Sequence, residues 1–324
     1  MLDQLAAGTA MASRLRLPTP GLGELEIRAF LNSSSIATLS SAYPLRLNSP
    51  PARTHARAAI VFMQTYGGGL VAGDHVDLHV KVRSKARLVL LTQGSTKVYK
   101  TPSKDLGTEQ YMTTTLEEGA ALVLLPEPVQ PFKGSSYKQY QAFHIHPQQS
   151  SMVFLDWVSA GRAARGECWE FFQWRGRNEI WSLPGETSTG QTIPQRLLLR
   201  DNIILDGMTD LEQSYRNEMD DLGVFGTLII RGPLFQTLGQ FFLEEFKRLP
   251  RIRGKPGVAA AAPSSSLYSS PSGLIWTAAS TRGFVMVKIG AKEVDEAKRW
   301  LREIIQRDGT VEREFGKHSL LSLQ

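Results

Sequence analysis

Residues 58–100 read AAIVFMQTYGGGLVAGDHVDLHVKVRSKARLVLLTQGSTKVYK, and this stretch sets the fold class. It opens on an apolar β-type run, 58–63, which breaks on Gly67, Gly68 and Gly69 before a fourth glycine and a carboxylate at Gly73 and Asp74. Three glycines in succession mark backbone that needs positive φ or close approach by another group. Beyond Asp74 the pattern alternates. Val76, Leu78, Val80 and Val82 fall on one face and Asp77, His79, Lys81 and Arg83 on the other, the period of a half-buried strand. Strands at 86–92 and 96–100 follow at short turns, so the stretch reads as a meander with a glycine-lined bend and Asp74 at its mouth.

Outward from this centre the same signals continue. Residues 23–47 carry β-forming segments that stop at Pro44, and 48–57, with two prolines, two arginines and His55, read as an exposed basic loop. Downstream, AALVLLP is a buried strand, 136–146 alternates again, and SMVFLDWVS is a continuous apolar run. The segment GRAARGECWEFFQW, a turn at Arg175, Gly176 and Arg177, and NEIWSL read as an aromatic hairpin, and QRLLLRDNIILD closes the β part. About a dozen short strands with almost no helical periodicity before residue 205 argue for extended β-sheet architecture.

The last third changes period. A strand at 225–231 precedes PLFQTLGQFFLEEFKRL, where Leu234, Leu238, Phe241, Phe242 and Phe246 share a helix face behind Pro233. Two strands, 274–279 and 283–289, lead into KEVDEAKRWLREIIQR, with a stripe of Val294, Ala297, Leu301, Ile304 and Ile305. The expected fold is therefore mainly β (α+β), a multi-stranded sheet with two helices in a C-terminal β-α-β-β-α unit that covers one face of a small sheet. The domain reading is a flexible tail at 1–22, one domain over 23–308 and a tail at 309–324. Within the domain, 23–205 is β-rich, 223–308 carries the helices, and the Ala/Ser/Pro-rich 254–273 is a mobile insert. No internal repeat is evident.

Composition narrows the function classes. The 324 residues are 42% hydrophobic and 21% charged, with a net charge of +6, which favours acidic partners without naming their kind. A single cysteine, Cys168, rules out an internal disulfide and suits a reducing compartment, so a cytoplasmic location is expected. The first 17 residues lack a basic start and an apolar core segment, which reads as a disordered tail rather than a targeting peptide. No apolar run approaches the roughly 18 residues needed to cross a bilayer, so no membrane span is expected.

Chemistry-bearing residues are sparse. The glycine cluster lacks the Gly-Lys-Ser/Thr ending and the following helix of a phosphate loop. His75, His144 and His146 are candidate metal ligands on strand faces, but no third and fourth ligand stands at the spacing of a closed site, so solvated or hydrogen-bonded imidazoles are the favoured reading. Asp74, Asp156 and Glu167 lie in or beside apolar segments, where a buried charge must be paired. Two of them could act as the acid and base of a β-rich carbohydrate-active hydrolase, or they could pair with Arg162, Arg165 or Lys97. Lys81, Arg83, Lys85, Arg87, Lys97, Lys100 and Lys104 suggest a cationic sheet face, without any recognised nucleic-acid-binding motif.

Two blocks in order carry a family resemblance. QTYGGGLVAGDHVDLHV followed by TQGSTKVYK, then LDWVSAGRAARGECWEF and the closing strand, helix, two strands and helix, resemble the urease accessory family UreD, also called UreH, over 23–308. The motif positions are Gly67, Gly68, Gly69 and Gly73 in the first block, and Gly161, Arg162 and Gly166 in the second. The resemblance implies a protein that is not an enzyme but a scaffold between urease apoprotein, UreF and, through UreF, the GTPase UreG. It implies no nucleic-acid or membrane partner and no tightly bound cofactor, only nickel(II) in transit past interior polar residues. Carried over by motif, Asp74 and Glu167 are the expected positions on that passage, with Asp156 third.

Overall fold

The computed structural model describes residues 19–51, 57–186, 192–206, 218–249 and 273–324. The sequence-stretch 1–18, most of the basic loop (52–56) and nearly all of the expected mobile insert lie outside the described residues. In chain order, the hairpin β1 (Leu22–Phe30) and β2 (Ser33–Ser41) leads to β3 (Leu45–Asn48) and β4 (Ala59–Thr65). Three groups of strands follow: β5 (Gly69–Leu70), β6 (His75–Val82) and β7 (Arg87–Thr92); β8 (Lys97–Val98), β9 (Thr108–Leu116) and β10 (Ala121–Leu125); β11 (Gln130–Pro131), β12 (Ser136–Ile145) and β13 (Ser151–Ser159). Next come β14 (Gln173–Ser182), the short ribbon β15 (Gly185–Glu186) and β16 (Thr192–Ile193), and β17 (Leu197–Asp206). The C-terminal part is β18 (Val224–Arg231), α1 (Gln236–Arg248), β19 (Ile275–Thr281), β20 (Phe284–Ala291), α2 (Val294–Asp308), α3 (Thr310–Phe315) and a 3-10 segment, Lys317–Leu323.

The centre of the chain is a parallel coil and not a meander. Successive strands do not pair with each other. They pair with their counterparts one coil on: Ala59 lies beside Leu88, Leu88 beside Leu122, and Leu122 beside Met152, all in parallel. A seven-stranded sheet runs β17-β14-β12-β9-β6-β1-β2, an eight-stranded sheet runs β19-β20-β18-β13-β10-β7-β4-β3, and β11-β8-β5 make a narrow third face. The structural repeat is real but its loops differ in length, which hides it in the sequence. The corner after β6 shows the equivalence: Lys85 takes a left-handed φ of 63° where the next coil has Gly119 at 69°.

Side-chain pattern explains which strand enters which sheet. Strands of the seven-stranded sheet alternate because one face meets the core and the other meets solvent, as in β6. Strands β7, β10 and β13 are buried along nearly their whole length and mostly apolar because both faces are covered. Leu88, Leu90, Leu122, Leu124 and Phe154 face the core between the sheets. Val89, Leu91, Val123, Val153 and Leu155 face outward, under the C-terminal helices.

The C-terminal β-α-β-β-α order is as expected, but its strands do not form a separate small sheet. β18 pairs antiparallel with β13 and thereby extends the eight-stranded sheet, whose outer face α1 and α2 cover. Two further readings are corrected. Residues 175–177 are not a turn: they lie inside β14, with Arg175 and Arg177 exposed and Gly176 buried beneath the Trp174 ring, which leaves no room for a β-carbon. Residues 309–324 are not a tail either. Val311, Phe315, Leu320 and Leu323 are buried in the outer core, and the Phe315 ring stacks on Phe235 at 5.7 Å.

Candidate functional site

A polar layer interrupts the apolar core where the two large sheets face each other. Along β12 the inward residues include Tyr137, Gln139 and Gln141, and β14 and β17 add Asn178 and Asp201 in register with each other. The opposing sheet contributes the row Asp156, Thr227 and Lys288, neighbours across β13, β18 and β20. Asp156, only 3% exposed, accepts hydrogen bonds from Gln139 Nε2 at 2.8 Å and Asn178 Nδ2 at 2.6 Å. Gln141 Nε2 donates to Asn178 Oδ1 at 3.1 Å, and Tyr137 Oη to Gln139 Oε1 at 3.1 Å. Lys288 Nζ donates to Asp201 Oδ1 at 2.7 Å and to Thr227 Oγ1 at 2.6 Å, and its side chain is 34% exposed, so the layer reaches solvent at this edge.

The electrostatics of the layer are unbalanced. Burial raises the pKa of Asp156 and neighbouring Asp201 adds to the effect, against the amide bonds and Lys288. Asp201 Oδ2 is buried with no hydrogen-bond partner. Two carboxylates face one ammonium, and burial disfavours the ionised form of Asp156, so a cation entering the layer would favour that ionised form. The sequence singled out Asp156 but not Asp201, Lys288, Gln139 or Asn178. The available signal was a polar residue at a core-facing step of an apolar strand, as in VMVKIGA.

The other expected site residues have local partners. Asp74 Oδ2 accepts from the Val71 amide at 2.8 Å and closes the turn between β5 and β6. Glu167 pairs with Arg162 through both carboxylate oxygens and accepts from the Lys133 amide at 3.2 Å. The Arg162 bond holds its carboxyl below the usual range against burial, and the Arg162 guanidinium lies 4.0 Å from the Phe132 ring centre. No hydrogen-bond partner is shared among Asp74, Glu167 and Asp156. Gly67, Gly68, Gly73, Gly161 and Gly166 all take positive φ, whereas Gly69 is extended and closely approached by Tyr99 and Lys97.

The histidines do not converge. His75 packs on Tyr111, His144 contacts Gln195, and His146 Nδ1 accepts from the Gln149 amide. Among the described residues no group of three or more His, Cys, Asp or Glu is placed to hold a metal. The expected cationic sheet face is dispersed: Arg83 pairs with Glu26 and Glu117, Arg87 with Glu314, and Lys104 with Asp206.

Glu179 and, on α1, Glu245 are buried charges outside the polar layer. Glu179, on the solvent-side face of β14, is 1% exposed yet accepts bonds from Arg177, Tyr140, Arg200 and Trp181. Burial alone would raise its pKa, but these donors overcome it and hold the carboxyl at about 2. Its stabilising effect is therefore complete above the ordinary glutamate value and is lost as the pH falls toward about 2. The melting temperature should fall on acidification below about pH 5, and Glu179→Gln should flatten that slope. An unchanged slope in the variant would remove Glu179 from the account.

The fold is thus a parallel β-coil flanked on one side by helices, with a buried hydrophilic layer that reaches solvent at one edge. The model of a family described as UreD urease accessory protein matches residues 21–321, and the chain belongs to that family, whose role lies in urease maturation. Urease accessory protein 4 of Cryptococcus neoformans var. grubii is 32% identical over 93% of this chain and 95% of its own. Urease accessory protein UreD of an Anaeromyxobacter species is 31% identical over 75% and 76%, and urease accessory protein D of Oryza sativa subsp. japonica 28% identical over 75% and 74%. No helix among the described residues is long and apolar enough to cross a membrane.

Proposed function

We propose that this chain is a urease maturation scaffold that links urease apoprotein to UreF and, through UreF, to the GTPase UreG. In this reading nickel(II) is cargo that passes along the buried polar layer on its way to the urease active site. Family membership and the accessory names of its relatives support the role in maturation and favour a non-catalytic chain. The observation that carries the passage is the row of Asp156, Asn178, Asp201 and Lys288 between the sheets, open to solvent at the Lys288 edge. Oxygen ligands from scattered carboxylates and amides bind a borderline cation weakly at several points and let it move on, where a closed histidine or thiolate set would trap it. Asp156 carries the passage here, while Asp74 and Glu167 shape their own loops. The hydrolase reading loses its support because Asp74 and Glu167 share no partner and Glu167 is clamped by arginine.

The test is co-expression with UreF, UreG and urease apoprotein, followed by activation with nickel and GTP. Asp156→Asn should leave the assembly intact and lower activation several-fold. Its melting temperature should fall somewhat, because the new amide sets one N–H2 group against the Gln139 or Asn178 donor, an unmet buried bond that offsets the relief of a carboxylate whose ionisation burial opposes. Normal activation by Asp156→Asn would overturn the passage, and failure of the wild-type chain to join the assembly would overturn the scaffold.

A further inference from the structure

We propose that the narrow third face of the coil docks an acidic, extended segment of a partner protein, a role independent of the polar layer and its cargo. The face is built from two-residue strands. Leu70, Val98 and Pro131 point inward and are buried; on the other side Lys97 is exposed and Gln130 half-buried, with Gly69 in parallel register beside Lys97 but covered by Tyr99 and Lys97. Each strand spans only about 7 Å and neighbouring strands lie about 4.8 Å apart, so the face accommodates one extended chain and not a nucleic-acid duplex.

Its charge is mainly cationic. Lys97, Lys100 and Arg46 are exposed and join no ion pair among the described residues, while the exposed Arg165 lies within electrostatic reach of Glu167. The carboxylates on the face are already engaged: Glu167 by Arg162, Glu170 by Lys133 at 2.6 Å, and Asp74 by its own turn. Asp105, on the loop beyond Lys100, is the exposed acid nearest Lys97 and Lys100 in sequence, and Glu293 and Asp295 stand exposed at the cavity beside Gln130. A cavity of about 260 Å³ opens at one end between Arg46, Tyr66, Gly67, Gly68 and Gln93, and another of about 400 Å³ at the other end beside Gln130, Arg162 and Arg165. Gly67, Gly68 and Gly94 have open space where side chains would stand, so the floor of the first cavity is bare backbone available to an incoming chain.

A single-stranded nucleic acid needs free aromatic faces on which bases stack. Here Tyr99 is held edge-on by Phe132 at 5.2 Å and donates its hydroxyl to the Gly67 carbonyl, and Phe132 is covered by Arg162. Tyr66, 47% exposed at the first cavity, leans on the exposed Tyr43 at 5.8 Å, so aromatic surface is confined to that end. Along Lys97 and Lys100 the exposed chemistry is cationic and favours clustered carboxylates.

Fluorescence anisotropy with a labelled polyglutamate peptide and the full chain tests this. The wild type should bind and weaken with added salt. Lys97→Glu with Lys100→Glu should weaken binding about tenfold, and Lys97→Gln with Lys100→Gln by less, both with unchanged melting. The control pair Lys247→Glu with Arg299→Glu, equal in net charge but on the helical side, should leave affinity within about twofold. Equal weakening by the control, or no binding by the wild type, would overturn the proposal. So would tight binding of an oligothymidylate that depends on Lys97 and Lys100 while the peptide does not bind.

Discussion

A chain ended at Asp308 is expected to lose most of its stability, although it keeps every strand of both large sheets. The deleted residues bury Val311, Phe315, Leu320 and Leu323, each 3% exposed or less, against the outer face of the eight-stranded sheet. At about 1.5–3 kcal/mol for each large apolar side chain, the loss is comparable with the whole stability of an ordinary domain. The deletion also uncovers Phe235 and removes the 2.7 Å ion pair of Arg87 with Glu314 and the bond from the Ser322 hydroxyl to the Leu125 carbonyl. The measurement is the soluble yield and cooperative thermal melting of the truncated chain beside the full one. A truncated chain with the full-length melting temperature would show that this packing contributes nothing.

Leu301→Asp should be nearly as damaging. Leu301 is fully buried on the α2 stripe, in the cluster that holds Phe242, Trp300 and the outward residues of β13 and β18. The substitution removes an apolar side chain and places an unpaired carboxylate where nothing solvates it, a combination expected to cost more than about 4 kcal/mol. Leu301→Ala isolates the packing part, at about 2–5 kcal/mol. Urea denaturation of both variants checks the order: aspartate well below alanine, and alanine below wild type. Equal midpoints for aspartate and wild type would mean that the helix is not seated as described.

The strands and the C-terminal helices were legible because each carries its own period. The alternation of 75–82 and the stripe from Val294 to Ile305 are local facts, and the structure keeps both. Pairing was not legible, because nothing within 86–92 tells that its neighbour is 121–125 and not 75–82. That choice follows from corner geometry and from covering both faces of an apolar strand. Gly176 between two arginines imitates a turn, yet its lack of a side chain makes room for Trp174. The closing helices are too short for a period to register. At the site, Asp156 stood out against its apolar neighbours, whereas Asp201 and Lys288 gain meaning only when β17 and β20 meet it across the core. Asp74 and Glu167 stood out through the glycine-rich motifs that hold them, and each makes a local contact there, Asp74 with the Val71 amide and Glu167 with Arg162.

The order in which the coil is completed has a kinetic consequence. Each turn can pair with its predecessor as it leaves the ribosome, since Ala59, Leu88, Leu122 and Met152 join only nearest neighbours, and structure can propagate along the growing stack. The outward side of that stack, with Val89, Leu91, Val123 and Leu155, stays bare until the helices of the C-terminal part, α1 to α3, have been made. During synthesis the molecule is thus a half-finished solenoid with a greasy flank, and its yield depends on how fast the last stretch arrives relative to how fast such flanks find one another.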